Sequence, residues 1–465
     1  MTLHEYVDMI RNKSIAVIGI GVSNMPLIEL LSSKGCDVTA CDARTFEQMG
    51  DDGKRLVDMG VKLKLGLDYL EGLDQQLVFR TPGLMPFDKH LKDAAMRGSF
   101  ITSEMEVFMS LCPCRTIAIT GSDGKTTTSS IIAELLKAAG YNVHLGGNIG
   151  HPLLCDLPEF SKDDIAVLEL SSFQLHSMLC QPDVAVITNI SPNHLDKHID
   201  YQDYIDAKRA AFENQNPDGR LVLNRDDGMT EYYEQFSCAN KAYFSNKTEL
   251  SEGAICEDGV IYRVKNGEKR PVMKASEILL PGEHNVLNYL AAFAAVEGLV
   301  DDRVCASVAK SFAGVEHRLE QVRVLHGVTY INDSIATSPT RTSAGLHALK
   351  TKPIVIAGGY DKHIPFDGLA DEFCLMAKKL FLTGDTAEKI YESVINSKYY
   401  PDSGLEIHLV DDFRQTVWEA AASAKAGDIV ILSPACAAFD RFKNFVERGR
   451  LFKSIVMELD KNELE

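Results

Sequence analysis

The chain has 465 residues, of which 45% are hydrophobic and 25% charged, with a formal net charge of −18. That length leaves room for about two to four domains, each with its own core, at an ordinary soluble composition. The acidic balance argues against general nucleic-acid binding, which wants a basic surface, but a local Lys/Arg pocket can still hold a small anion.

The first thirteen residues contain no apolar core followed by a small-residue cleavage site, so no secretory signal is expected. The stretch from Ile15 to Leu31 is broken by glycines, Asn24, Pro26 and Glu29, too mixed to span a bilayer. Eleven cysteines at irregular spacing, with no CxxC, read as reduced thiols. A cytoplasmic protein without membrane insertion is the expectation.

Three segments open with the same unit of apolar strand, Gly-containing turn and amphipathic helix. SIAVIGIGVSN leads into MPLIELLSSKG and a second strand ending at Asp42; RTIAITGSDGK leads into TTTSSIIAELLKAAG; KPIVIAGGYDK is joined later by KKLFLTGDTAEKIYESV and GDIVILSPACAAFDRF. Strands alternating with helices at this spacing predict parallel sheets covered on both faces. Joints near residues 103 and 314 would divide the α/β chain into domains 1–103, 104–314 and 315–465.

In the second segment, Gly121-Ser122-Asp123-Gly124-Lys125-Thr126-Thr127 follows a strand and opens a helix. Backbone N–H groups at such a helix start face an anion, Lys125 adds a point charge and Thr126 offers a hydroxyl to magnesium. The usual P-loop spacing would need glycine at position 119, which is Ile119, so the loop is a shortened GxxGKT. Downstream, Glu169 ends an apolar strand, His194 lies just past another, and Lys208 falls on a helix. Each alone has a bland reading: a strand-end acid, a loop histidine, a solvated lysine. Asn285 and Asn288, three apart, share one face of a helix start. His317 and Arg318 lie at the second joint, where an arginine can reach a γ-phosphate when domains close.

TGSDGKTTT resembles the ATP loop of the Mur ligases and folylpolyglutamate synthases, and the later motifs follow the Mur order. The resemblance implies an N-terminal Rossmann-like domain that binds UDP, a central P-loop-type ATPase domain and a C-terminal Rossmann-like domain. It implies ATP at Gly121, Ser122, Asp123, Gly124, Lys125, Thr126, Thr127, Asn285, Asn288, Arg318 and Asp333. Two magnesium ions fall to Thr126, Glu169, His194 and a carbamylated Lys208, and the catalytic set to Lys125, His194, Lys208 and Arg318. A free ammonium beside Mg²⁺ is repulsive, whereas its CO₂ adduct is an oxygen donor of the kind hard cations want. The family often has DSKAT where this chain has Asp333-Ser-Ile335, so one phosphate contact is missing unless Arg341 or Lys362 replaces it.

The ends of the chain discriminate within the family. The first segment has Gly19 and Gly21, but Asn24 where a Rossmann fingerprint places its last glycine. With the turn from Arg80 to Pro86 it resembles the UDP-sugar pocket of the D-glutamate-adding branch. Contacts implied are Val22, Ser23, Asp42 and Arg44 for UDP, with Asn148 and Ser171 nearer the acceptor carboxylate. LSPACAAFDRFKNFVERGRLF resembles that branch's C-terminal signature over about twenty positions, a likeness sister ligases do not share in full. It implies D-glutamate at Thr337, Lys362, Ala438 and Phe445, with Ala438 in place of the usual serine. The expected reaction joins D-glutamate to UDP-N-acetylmuramoyl-L-alanine with ATP, in a cytoplasmic monomer. The rivals are a sister amino-acid ligase, a nicotinamide-dependent oxidoreductase, which would leave the GKT loop idle, and a non-catalytic nucleotide sensor.

Overall fold

A computed structural model of the chain describes residues 1–459 except Val22, His151, Leu195, Asp196, Pro281, Lys350, Lys362 and His363. Its strands form three sheets, within two compact units, Met1–Phe312 and Ala313–Glu465.

The first sheet comprises β1 (Ser14–Ile18), β2 (Asp37–Asp42), β3 (Lys62–Leu65), β4 (Leu77–Phe79) and β5 (Phe100–Thr102), in the order β3-β2-β1-β4-β5. All its pairings are parallel. Ile15, Ala16, Val17 and Ile18 of the central strand are all fully buried. A strand covered on both faces needs such an unbroken apolar run rather than alternation.

The second sheet comprises β6 (Arg115–Thr120), β7 (Val143–Gly147), β8 (Ile165–Glu169), β9 (Val184–Ile187), β10 (Arg220–Asn224), β11 (Asn240–Ser245), β12 (Gly253–Glu257), β13 (Val260–Lys265) and β14 (Glu268–Lys274). Their order is β14-β13-β12-β11-β10-β9-β6-β8-β7. One of its faces shares an apolar cluster with the first sheet, which runs from Ile15 and Val17 to Ala166 and Leu168. On the other face, helices Lys125–Ala138 and Glu283–Ala295 contribute Ile131, Leu135, Tyr289 and Phe293 to a second cluster.

The second unit holds β15 (Glu320–Leu325), β16 (Val328–Asn332), β17 (Ile354–Ala357), β18 (Lys379–Leu382), β19 (Glu406–Leu409) and β20 (Ile429–Leu432), ordered β15-β16-β20-β17-β18-β19. Separate apolar clusters cover its two faces.

The expectation of parallel sheets needs a correction at two edges. β13 and β14 run antiparallel to their neighbours, and so does β15. Two-residue turns make these hairpins: Asp258-Gly259, Asn266-Gly267 and His326-Gly327 all have positive φ, between 48° and 80°. Paired left-handed residues match the right-handed twist of hairpin strands, and Asp-Gly and Asn-Gly adopt them at least cost. Among the described residues no helix is long and apolar enough to cross a membrane.

Parallel order also fixes where ligands can lie. In the first sheet the connections leave the adjacent strands β1 and β4 in opposite directions, and in the second those from β6 and β9 do, opening a crevice at the C-terminal ends of each pair.

Candidate active site

The phosphate loop joins β6 to helix Lys125–Ala138, with left-handed Gly124 as the residue before the first helical turn. Both loop glycines are required by close approach. A Cβ on Gly121 would lie 1.9 Å from Thr188 Oγ1, and one on Gly124 would lie 2.4 Å from Asn288 Oδ1. The loop is braced by the segment after β9: Asp123 N donates to Asn189 Oδ1 at 2.9 Å, and Thr188 Oγ1 donates to the Asp123 carbonyl at 2.6 Å. Ser122 Oγ donates to the Ser191 carbonyl at 2.9 Å. Thr126 and Thr127 occupy the first helical turn, with Thr126 buried. Lys125 Nζ folds onto the carbonyls of Gly121 and Ser122, at 3.0 and 2.8 Å. Asn285 and Asn288 are both buried, not surface residues. Thr128 Oγ1 donates to Asn288 Oδ1 at 3.2 Å, and Asn288 Nδ2 donates to Asn285 Oδ1 at 3.1 Å, so the pair faces the loop helix.

Glu169 ends β8 opposite Ile119, one strand from the loop, and is 1% exposed. Its Oε1 accepts from Asn148 Nδ2 at 2.8 Å, while its Oε2 is buried with no hydrogen-bond partner among the described residues. A buried carboxylate oxygen left without a donor is costly, and a bound cation would satisfy it. Asn148, expected near the acceptor carboxylate, thus directs its amide at Glu169. Ser171, two residues on, caps the one-turn helix Ser172–Leu175 and accepts from Gln174 N.

The solvated reading of Lys208 fails. The side chain lies on helix Tyr201–Arg209 yet is 1% exposed, and its Nζ donates to the Gly121 carbonyl at 2.7 Å. Burial, reinforced by the Lys125 charge, holds its pKa well below the ordinary lysine value. His194 is exposed, in left-handed backbone with φ 55°, beside the ring of Phe173. Its loop is anchored by a chain no sequence motif pointed to. His198 Nδ1 and His176 Nε2 each lie 2.8 Å from the Asp203 carboxylate, and His198 Nε2 lies 2.9 Å from Ser172 Oγ.

At the C-terminal end of the first sheet, the Asp42 carboxylate accepts from Ile20 N at 2.7 Å and from Arg44 Nε at 2.9 Å. Asn24, in the place of a fingerprint glycine, is buried and donates to the carbonyls of Ile18 and Gly19. Its amide stitches the turn that a third glycine would otherwise let pack. Ser23 is exposed in this turn. Val22 lies outside the described residues.

In the second unit, Asp333 follows β16 and is 4% exposed. It accepts from Ser433 Oγ at 2.8 Å and Leu319 N at 3.2 Å, and burial raises its pKa to about 6 despite nearby Arg318 and Arg341. Arg318 itself is exposed. Arg341 Nη1 reaches the Ile335 carbonyl at 3.4 Å. Thr337 is half-buried, its N–H donating to the Ile335 carbonyl. Phe445 opens helix Phe445–Glu458 and meets the His317 ring edge-on at 6.0 Å. Ala438 is buried. Lys362, expected at the D-glutamate carboxylate, is outside the described residues. Arg448 was not anticipated: buried, it donates to the carbonyls of Ser334, Cys436 and Ala437 and to Ser334 Oγ, tying the Ser334 turn to the 434–438 loop.

A loop-and-helix phosphate cradle on a mostly parallel sheet, in a chain that carries two further sheets, defines a multidomain nucleotide-using α/β protein. Residues 119–296 match the Mur ligase middle domain, and residues 317–436 match the Mur ligase glutamate ligase domain. The chain is 45% identical over 463 residues to the UDP-N-acetylmuramoylalanine–D-glutamate ligase of Acetivibrio thermocellus, covering 98% of this chain and 99% of that one. It is 46% identical over 459 residues to the enzyme of the same name from Clostridium beijerinckii, with the same coverage. The crystal structure of the UDP-N-acetylmuramate–alanine ligase of Thermotoga maritima has the same fold, with a TM-score of 0.55 at 19% identity over 96% of this chain and all of that one. The chain belongs to the Mur ligase family.

Proposed function

We propose that the chain joins D-glutamate to UDP-N-acetylmuramoyl-L-alanine using ATP, a step in peptidoglycan precursor synthesis. Full-length identity of 45% to ligases bearing that name carries the reading. The C-terminal signature, which sister ligases do not share in full, agrees with it.

The proposed division of labour follows three parts, 1–103, 104–314 and 315–465. The first part binds the uridine diphosphate end through Val22, Ser23, Asp42 and Arg44, with Asn148 and Ser171 of the second part nearer the alanine carboxylate. ATP lies along Gly121 to Thr127 and is also bound by Asn285 and Asn288 and, from the third part, by Arg318 and Asp333. Thr337, Lys362, Ala438 and Phe445 hold D-glutamate.

An alanine carboxylate oxygen attacks the γ-phosphorus and ADP leaves. The D-glutamate amine then adds to the acyl carbon, and phosphate leaves as the amide forms. The first approach sets two anions against each other, so cationic groups at the loop are needed to offset their repulsion. Lys125 supplies one such charge. Thr126, Glu169, His194 and Lys208 would hold two magnesium ions, and the unpartnered Oε2 of Glu169 fits that use. Bound magnesium supplies Lewis-acid neutralisation of phosphate charge. The lowered pKa of Lys208 favours the neutral amine, the form that adds CO₂ to become a carbamate. The eleven free cysteines suit a reducing cytoplasm, and a monomer is the proposed working state.

Phosphate release requiring ATP, UDP-N-acetylmuramoyl-L-alanine and D-glutamate together tests the assignment. Release with L-lysine or meso-diaminopimelate instead would keep the family and overturn the amino-acid assignment.

A further inference from the structure

Arg80 follows β4 directly and is 1% exposed, although no step above uses it. Its direct hydrogen-bond partners are neutral oxygens. Nη1 donates to the Leu84 carbonyl at 3.2 Å, and Nη2 donates to the Phe173 carbonyl at 3.0 Å and Ser177 Oγ at 2.7 Å. Nε reaches the same hydroxyl at 3.2 Å, and Ser177 Oγ passes the charge on by donating to Glu106 Oε1 at 2.7 Å. Burying a cation is expensive, so its geometry indicates what it holds.

It holds two things at once. Leu84 belongs to the turn that closes the first sheet's crevice, and this turn touches the one after β1, since a Cβ on Gly19 would lie 3.0 Å from Thr81 Cβ. Phe173 belongs to the one-turn helix capped by Ser171, two residues beyond Glu169. A guanidinium at that helix's carbonyl end suits the helix dipole and offers a rigid fork that an ammonium cannot match.

On the functional reading above, an acceptor must place its uridine end in the first crevice and its carboxylate near Ser171 and Glu169. We infer that Arg80 is a positioning residue for this acceptor, fixing the span between the nucleotide crevice of the first sheet and the phosphoryl-transfer end of the second. The feature is a tie between subsites, so its loss should spare ligands that fill only one of them.

The test compares wild type, Arg80→Lys and Ser177→Ala by calorimetric binding of UDP and of UDP-N-acetylmuramoyl-L-alanine, and by steady-state kinetics. Arg80→Lys is expected to bind UDP within about twofold of wild type but the whole acceptor at least about tenfold more weakly, about 1.4 kcal/mol, because an ammonium cannot hold both segments as the guanidinium fork does. Its KM for ATP should not move. Ser177→Ala should shift in the same direction by less, and it decides the question if Arg80→Lys does not fold. Equal weakening of UDP and acceptor, or no weakening of either, in an active protein would overturn the inference alone. Wild type that fails to bind the acceptor would overturn the functional reading and the inference with it.

Discussion

Lys208 brings its amine against the Gly121 carbonyl in a site that also feels the charges of Lys125, Asp123 and Glu169. Desolvation disfavours the ammonium there, and conversion to a carbamate would turn a misplaced cation into an oxygen ligand. Lys208→Ala is therefore expected to lower turnover at least about a hundredfold, with partial recovery on adding formate or acetate, small carboxylates that fit the vacated space. Turnover near wild type in the variant would remove Lys208 from the machinery. Glu104 makes a second prediction. Burial raises its carboxyl to about 7 from an ordinary 4.5, although Leu154 N donates to it. The folded state then holds a proton that the unfolded chain has released, so stability falls as pH rises from 4.5 to 7. Glu104→Gln should raise the thermal midpoint at pH 8, by the equivalent of up to about 3 kcal/mol, and the gain should shrink towards pH 5. An equal gain at both pH values would contradict the burial account.

At the scale of elements, the phosphate loop depends on two glycines pressed against neighbouring segments. Gly124→Ala demands left-handed backbone, costing about 1–2 kcal/mol, and a Cβ that must displace Asn288. We expect a KM for ATP raised about tenfold or more with the KM for D-glutamate unchanged, since strain of that size at the phosphate cradle is worth about tenfold in affinity per 1.4 kcal/mol. An unchanged KM for ATP would mean that the loop absorbs the methyl. The loop, its strand and its helix were legible because glycine, lysine and threonine sit at fixed offsets between an apolar run and an amphipathic one. The antiparallel edges were legible too, in Asp258-Gly259 and Asn266-Gly267, but the run of βα units drew the reading towards parallel sheets. Burial of polar residues was not legible. Lys208, Asn285 and Asn288 look solvated in sequence, and only long-range packing against the loop hides them. The same holds for Arg80, Arg448 and the His176–Asp203–His198 chain, whose partners lie far away in sequence.

For the whole molecule, the crevices of the first two sheets and the separate third sheet offer distinct places for the substrates of a three-substrate reaction. Two sheets share one apolar cluster in the unit Met1–Phe312, and the third has its own cores in Ala313–Glu465. The acidic surface and the motif-bound cations are then compatible, because each anionic ligand meets local charge rather than the net field. The central claim is the choice of amino acid. The most direct measurement is ATP-dependent phosphate release with UDP-N-acetylmuramoyl-L-alanine, comparing D-glutamate with L-glutamate, L-lysine and meso-diaminopimelate. Release with D-glutamate alone, and none without the nucleotide acceptor, is the predicted result; release with another amino acid in its place would contradict it.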